Sequence, residues 1–265
     1  MTTQQQPIQR TFVRWLPRKD HAPTPNTSYA NNPTAFRIPN APASHSPAQQ
    51  VEPRWDLLLP GEPVACDIEF QNYHIAGNVH GPWHANKAGL NRWSNRVGWT
   101  SIVNTRGEII LDTFVNYAAE PAVTTRMPRA PGKTFGVSDE RVRLENGAVD
   151  GRIVESWLED MFANRLVVLH GGTNDRTSYY YRDFFSRAAA VHDTQDEWSC
   201  TEDGDGNPTP GLATLARNLL RRIIQAGGVH GPEEDAKATM EIYLLSHDYD
   251  RAAEAAKWQA VYRAG

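Results

Sequence analysis

Acidic side chains inside a strongly apolar segment are the first feature of this sequence that could do chemistry. Asp67 and Glu69 lie in the run 64–70, VACDIEF, which predicts a buried strand. Side chains two residues apart in a strand share one face and lie about 6.5–7 Å apart. Aspartate is depleted in strands and is seldom buried without a partner. The pair is therefore predicted to hold a cation, and a solvated edge strand is the alternative.

Two further acids stand at predicted element boundaries. Asp175 follows a strand-like segment and a Gly-Gly pair in LVVLHGGTND, and functional sites of open α/β sheets gather at such strand ends. Taken alone, it would be interpreted as a charge that complements a helix dipole. Asp235 lies about one turn into a helix that Pro232 is predicted to begin, and His230 stands on the loop just before that helix.

Four carboxylates that met at one point would need positive charge between them. Two carboxylates 4 Å apart repel by about 4 kcal/mol at an effective dielectric constant near 20. Oxygen ligands select Mg²⁺ or Mn²⁺, and two such ions about 3.5–4 Å apart stabilise the attacking and leaving oxygens of a displacement at phosphorus. The attacking water needs a base, and histidine titrates near neutral pH. His230 is predicted to be that base.

The elements that must position these residues form an alternating α/β pattern. Their order predicts a mixed β-sheet with helices packed on its faces. Strands are predicted at 64–70, 98–104, 108–115 and 165–170, a short edge strand at 191–194, a polar loop at 116–150, and helices at 152–163, 174–190, 211–226, 232–245 and 249–263.

Composition separates a tail from a domain. Residues 1–50 hold eight of the 18 prolines and few apolar side chains, so this segment is predicted to be a disordered tail. A short motif in the tail that docks a protein partner is the alternative. The domain is predicted at 55–265.

Charge and cysteine content exclude some classes of protein. Two cysteines without a short-spaced partner argue against a disulfide scaffold or a zinc cluster. The net charge of −4 gives no overall basic signature for nucleic acid, which counts only weakly against such a partner because a locally basic groove can lie on an acidic protein. The N-terminus lacks an apolar leader, and the sequence contains no run of about 18 apolar residues. We therefore expect an intracellular protein, nuclear or cytoplasmic, without a membrane partner.

An insertion at 72–96 separates the first two predicted strands. It combines aromatic and basic side chains, which suit stacking on bases and contact with phosphates. A metal site at His80 and His84 is disfavoured because a Gly-Pro step breaks the helix that the pair would need. The candidates for substrate contact are Trp83, His84, Trp93 and Arg96.

The motifs resemble those of the DEDDh 3′→5′ exonucleases, in the branch that contains RNA exonuclease 4 and the interferon-stimulated exonuclease. The similar text runs from about residue 64 to 245. Leu169 stands where the family usually has glycine, and Gly231-Pro232 replaces a Ser-rich turn; neither change removes a ligand. The matching motifs are CDIEF with Asp67 and Glu69, LHGGTND with Asp175, and HGPEEDAKATMEIY with His230 and Asp235.

The resemblance implies a ribonuclease H-like fold and a specific activity. Two Mg²⁺ or Mn²⁺ ions would be bound by the four acids. The enzyme would release nucleoside 5′-monophosphates from the 3′ end of single-stranded RNA or DNA, and the sequence leaves the choice between them open. Two alternatives remain: a catalytically silent nucleic-acid-binding or scaffold protein with the same fold, and endonuclease cleavage by the same metals.

Overall fold

A seven-stranded mixed β-sheet organises the residues that the computed structural model describes, which are 12–14, 50–76, 93–129, 135–200 and 209–247. The sheet order is β6-β4-β3-β2-β7-β8, and β5 pairs with the outer part of β2. The strands within these ranges are β1 (Phe12–Arg14), β2 (Val64–Ile75), β3 (Ser94–Asn104), β4 (Ile109–Asn116), β5 (Val123–Arg126), β6 (Val149–Asp150), β7 (Leu166–Leu169), β8 (Ala190–Asp193) and β9 (Trp198–Cys200).

The sheet combines antiparallel and parallel pairs. Strands β2, β3 and β4 form an antiparallel meander, with the predicted hairpin between β3 and β4. Strand β7 is parallel to β2, and β8 is parallel to β7. The carboxyl end of β7 therefore points the same way as the carboxyl end of β2, as in the strand-end sites of α/β sheets.

Helices cover the two faces of the sheet. Helix α1 (Gly151–Phe162) begins where the Asp150 carboxylate accepts the Arg152 backbone N–H. Helix α2 (Leu212–Leu215) continues into a π-helical turn, Ala216–Leu220, and helix α3 (Pro232–Ser246) packs across β2 and β3. This arrangement confirms the predicted mixed sheet flanked by helices.

The alternation of side chains along β2 decides which of its residues pack against α1 and which pack against α3. Cys66 and Ile68 are buried in the apolar cluster that also contains the inner face of α1. Ala65 lies in the cluster that contains Ala236 and Met240 of α3. Because side chains alternate between the two faces of a strand, the odd-numbered positions from Ala65 to Glu69 face α3, whereas Tyr73 and Ile75, beyond the bulge, lie in the cluster with α1.

The predicted helix at 174–190 is wrong. The chain forms only a 3₁₀ turn, Asp175–Thr177, and then an irregular segment up to β8. The Glu155 carboxylate of α1 accepts the backbone N–H groups of Tyr180, Tyr181 and Arg182 at 2.6–2.9 Å. These groups are therefore satisfied by a buried side chain instead of by a helix.

The predicted helix at 211–226 is too long. It ends after Leu220, where Arg221 adopts a left-handed backbone with φ 56°. The predicted loop at 116–150 contains β5 and β6, and β2 and β3 both extend into the predicted insertion. The predicted helix at 249–263 lies outside the described residues.

Part of the predicted tail pairs with the domain. Strand β1 forms an antiparallel ladder with β9. The rest of 1–49 lies outside the described residues, so its disorder stays a prediction. Among the described residues, no helix has both the length and the hydropathy that crossing a membrane requires.

Candidate active site

The first two acids lie on β2, on the face that α3 covers. Asp67 and Glu69 follow Ala65 at odd positions of the strand, and Glu69 is only 5% exposed. A β-bulge interrupts the pairing with β3 directly after Glu69, where Gly98 is the extra residue. A Cβ on Gly98 would lie 2.9 Å from the Glu69 carbonyl oxygen, so glycine permits this close approach of the backbones.

The third acid is held by the loop that follows β7. The Asp193 carboxylate, at the end of β8, accepts the backbone N–H groups of Gly171 and Gly172, both at 2.8 Å. A Cβ on Gly172 would lie 2.4 Å from Leu169 Cδ1, so the loop closes tightly over its own strand. Asp175 follows this loop and is buried, and the Ile68 backbone N–H helps to stabilise its carboxylate.

The fourth acid and the histidine lie at the start of α3. Gly231 is the N-cap and Pro232 the first helical residue, as predicted, and the Asp235 N–H donates to the Gly231 carbonyl at 3.1 Å. The Asp235 carboxylate is 3% exposed, and its Oδ2 lies 3.7 Å from His230 Nδ1. The His230 ring contacts the Phe135 ring, with centroids 5.3 Å apart.

The structure brings the five predicted residues together. Each of Glu69, His230 and Asp235 offers one atom that could bind a metal ion, and these three atoms lie within 4.8 Å of one another. Asp67 and Asp175 lie outside this set of three, and Asp67 is near enough to Asp235, Asp175 and Glu69 for their charges to act on it. Acids that are far apart in the sequence therefore form one cluster between β2, the loop after β7 and the start of α3.

Burial and mutual repulsion disfavour full ionisation of this cluster. Burial, followed by the charges of Asp235, Asp175 and Glu69, raises the pKa of Asp67 well above its usual range. Burial also raises the pKa of Asp175 to about 7, although backbone N–H groups act in the opposite direction. A cation beside the carboxylates would reverse this balance, because an opposite charge favours the ionised form.

The carboxylate oxygens of the four acids suit a divalent cation that prefers oxygen ligands. Within the described residues, Asp175 Oδ1 and Asp235 Oδ1 are buried and have no hydrogen-bond partner. Such atoms are rare in native proteins and call for an unseen partner such as an ion. The four acids offer oxygen ligands only, which suits Mg²⁺ or Mn²⁺.

The four residues predicted to contact substrate have different outcomes in the structure. Trp83 and His84 lie outside the described residues. Trp93 is 39% exposed, and the Arg126 guanidinium lies 3.9 Å from its ring centroid. For Arg96 the prediction of substrate contact is wrong: the side chain is 3% exposed because β3 begins at Ser94 and turns it into the core.

Arg96 has buried partners instead of a substrate. Its Nη2 donates to Thr125 Oγ1 at 2.8 Å, and its guanidinium lies 4.2 Å from the Tyr117 ring centroid. Two more tyrosine rings, those of Tyr73 and Tyr180, lie within 5.8 Å of it. These cation–π contacts stabilise a buried charge.

Sequence reasoning missed Gln225. Its Nε2 donates to Asp235 Oδ2 at 2.8 Å, and its backbone N–H donates to Glu234 Oε2 at 3.0 Å. Gln225 adopts a left-handed backbone, with φ 53°, in the irregular segment after Leu220. No pattern in the sequence singles it out, because its role depends on the early end of the preceding helix.

Known proteins resemble the chain in sequence, although no protein-family model matches it. The chain is 25% identical over 193 residues to interferon-stimulated 20 kDa exonuclease-like 2 of Bos taurus. This alignment covers 71% of this chain and 47% of that protein. It is 28% identical over 152 residues to RNA exonuclease 4 of Candida glabrata, which covers 57% of this chain and 53% of that protein. The chain thus spans about half the length of these curated relatives.

Solved structures share the fold. The Pan2 catalytic unit of Neurospora crassa, with its protease and nuclease domain, matches with a TM-score of 0.51 at 18% identity, over 86% of this chain and 34% of that one. The Pan2 pseudoubiquitin-hydrolase-RNase module of Saccharomyces cerevisiae matches with a TM-score of 0.50 at 17% identity, over 88% of this chain and 36% of that one. Relatives and fold together confirm the resemblance to DEDD-type exonucleases that the motifs predicted.

Proposed function

We propose that this protein is a metal-dependent 3′→5′ exonuclease that releases nucleoside 5′-monophosphates from single-stranded RNA, with DNA as a second substrate. The observation that supports the proposal most is the convergence of Asp67, Glu69, Asp175 and Asp235 beside His230. The printed names of the sequence relatives describe exonucleases, and one is an RNA exonuclease. An intracellular location, nuclear or cytoplasmic, belongs to the same proposal.

The four acids would hold two Mg²⁺ or Mn²⁺ ions. When bound, such ions supply positive charge for the attacking and leaving oxygens at phosphorus. The unpartnered Oδ1 atoms of Asp175 and Asp235 are available for this role. The Gln225 amide keeps the other oxygen of Asp235 in place, as groups behind a metal ligand commonly do.

His230 would accept the proton of the attacking water. The resulting hydroxide forms a bond to the phosphorus of the terminal phosphodiester, and the bond from phosphorus to the 3′-oxygen breaks. The 3′-oxygen of the shortened strand takes a proton from solvent, and the terminal nucleotide departs with a 5′-phosphate. Asp235 Oδ2 lies 3.7 Å from Nδ1 of this imidazole, so the carboxylate stands beside the ring that accepts the proton.

The test is to incubate the purified chain with 5′-labelled and 3′-labelled RNA and DNA, with Mn²⁺ or with a chelator. We expect single-nucleotide shortening from the 3′ end that the chelator stops. A Glu69→Gln variant should lose turnover, and Glu145→Gln, the same change at a side chain 69% exposed, should keep it. Equal activity in the two variants would contradict the assignment.

Two other results identify the alternatives. Metal-independent RNA binding without product would indicate a silent binding or scaffold protein. Cleavage of a substrate whose 3′ end is blocked would indicate an endonuclease.

A further inference from the structure

A second cluster of metal-ligating side chains is built from residues that the candidate active site does not use. His192 lies near the end of β8, Glu197 ends the 3₁₀ turn that follows it, and His247 comes directly after α3. One donor atom from each of the three lies within 4.8 Å of the other two. Three separate elements therefore place two imidazoles and one carboxylate around one point.

The Glu197 carboxylate is the centre of the cluster. Its Oε1 lies 2.6 Å from His192 Nε2 and 3.4 Å from His247 Nε2. Glu197 is 5% exposed, whereas the imidazole side chains are 26% and 33% exposed. The buried Glu197 carboxylate therefore contacts two histidines whose side chains are partly exposed to solvent.

Hydrogen bonding turns a lone pair of His247 toward Glu197. Its Nδ1 lies 3.0 Å from the Tyr243 carbonyl oxygen, which only accepts hydrogen bonds, so Nδ1 carries the proton. In the neutral ring, Nε2 then presents its lone pair. Metal-binding histidines show this pattern, in which the other ring nitrogen donates to a backbone carbonyl.

Two further atoms of the cluster lack hydrogen bonds. Within the described part of the chain, His192 Nε2 and Glu197 Oε2 are buried and have no hydrogen-bond partner. The 2.6 Å approach of His192 to Glu197 is therefore a close contact that is poorly angled for a hydrogen bond. These two buried atoms converge without a well-angled hydrogen bond, and a cation between them would satisfy both.

We propose that His192, Glu197 and His247 form a second metal site that takes a transition-metal dication of the Zn²⁺ class. Imidazole nitrogen suits Zn²⁺, whereas Mg²⁺ and Mn²⁺ prefer oxygen. Zinc bonds of about 2.0–2.1 Å place tetrahedral ligands about 3.3 Å apart. The His247–Glu197 separation already has this value, and His192 has to withdraw by about 0.7 Å.

The bound metal would tie three elements together. It joins His247, the first residue after α3, to the 3₁₀ turn that ends at Glu197 and to strand β8. The first turn of α3 holds Asp235, and Asp193 at the end of β8 fixes the loop before Asp175. The three protein ligands would connect these elements, and the partly exposed side of the imidazoles leaves room for water as the fourth ligand.

Titration with Co²⁺, whose visible absorption reports bound nitrogen ligands, tests the site in the full chain. Both Glu69→Gln and Asp235→Asn are introduced first, so that the candidate active site does not compete for the ion. We expect one Co²⁺ per chain, displaced by Zn²⁺. Adding Glu197→Gln should weaken the affinity by about 100-fold or more, because even changes behind a ligand cost 10- to 100-fold.

The control is His74→Ala, a histidine on β2 outside the cluster, which should leave the Co²⁺ affinity unchanged. His247→Gln, at a side chain one third exposed, gives the same test if Glu197→Gln disturbs folding. Absence of stoichiometric Co²⁺ binding, or an affinity that changes less than threefold in both ligand variants, would overturn the proposal. Loss of nuclease activity would not bear on it, because the background already lacks two acids of the active site.

Discussion

Replacement of Asp175 by asparagine should stabilise the metal-free protein. The carboxylate is buried among other acids, and its pKa is raised from 3.8 to about 7. A raised acid pKa means that the folded state holds the proton more tightly than the unfolded state. The resulting penalty is absent below about pH 4, grows with pH, and is complete above about pH 7.

The size of the effect follows from the shift. At about 1.4 kcal/mol per pKa unit, the ionised carboxylate costs the folded state about 4 kcal/mol at pH 8 and less than half of that at pH 5. Asparagine keeps the shape and removes the charge. For a domain of this size, 4 kcal/mol corresponds to a rise in Tm of about 8 °C or more.

The assay is thermal unfolding of wild type and Asp175→Asn with a chelator, at pH 8 and at pH 5. We expect the variant to have the higher Tm, with a larger gain at pH 8, and to lose nuclease activity. Asp160→Asn, at a side chain 58% exposed beside Arg187, should change Tm little at either pH. A variant that is less stable than wild type at pH 8, or a gain that is the same at both pH values, would refute the reasoning.

Three further predictions concern the same site. His230→Ala should lower kcat by about 10²- to 10⁴-fold, and single-turnover kinetics would measure it; a normal rate would remove the histidine from its role as base. Gln225→Ala frees Asp235 Oδ2 and should raise the Mn²⁺ concentration for half-maximal rate by about 10- to 100-fold; an unchanged metal titration would contradict the role of the amide. Gly172→Ala places a Cβ 2.4 Å from Leu169 Cδ1 and should cost about 1–3 kcal/mol of unfolding free energy, measured by urea denaturation, whereas a neutral result would mean that the loop shifts freely.

The residues of the candidate site were predictable because their signals are local. Strand alternation places Asp67 and Glu69 on one face, and a proline at the first helical position sets Asp235 one turn into α3. These relations depend only on a few neighbouring residues. They survive errors in the boundaries of other elements.

Other features depend on contacts between distant residues. The segment after Asp175 is not helical because Glu155, on another helix, accepts its backbone N–H groups. Arg96 is buried because β3 starts before it and aromatic rings surround it. Gln225 reaches Asp235 because the preceding helix ends after Leu220. The apolar periodicity of 211–226 instead predicts a helix that continues through Gln225. Single-segment patterns contain no information on such partners.

The extra residue in β3, Gly98, divides the ladder between β2 and β3 into an inner and an outer half. Trp99 opposes Glu69 and Val97 opposes Phe70, so one glycine reverses the phase of alternation between the inner and outer halves of the ladder. Asp67 and Glu69 lie on the inner side of the bulge, so the regular pairing of 64–69 with 99–104 sets the face on which both carboxylates stand.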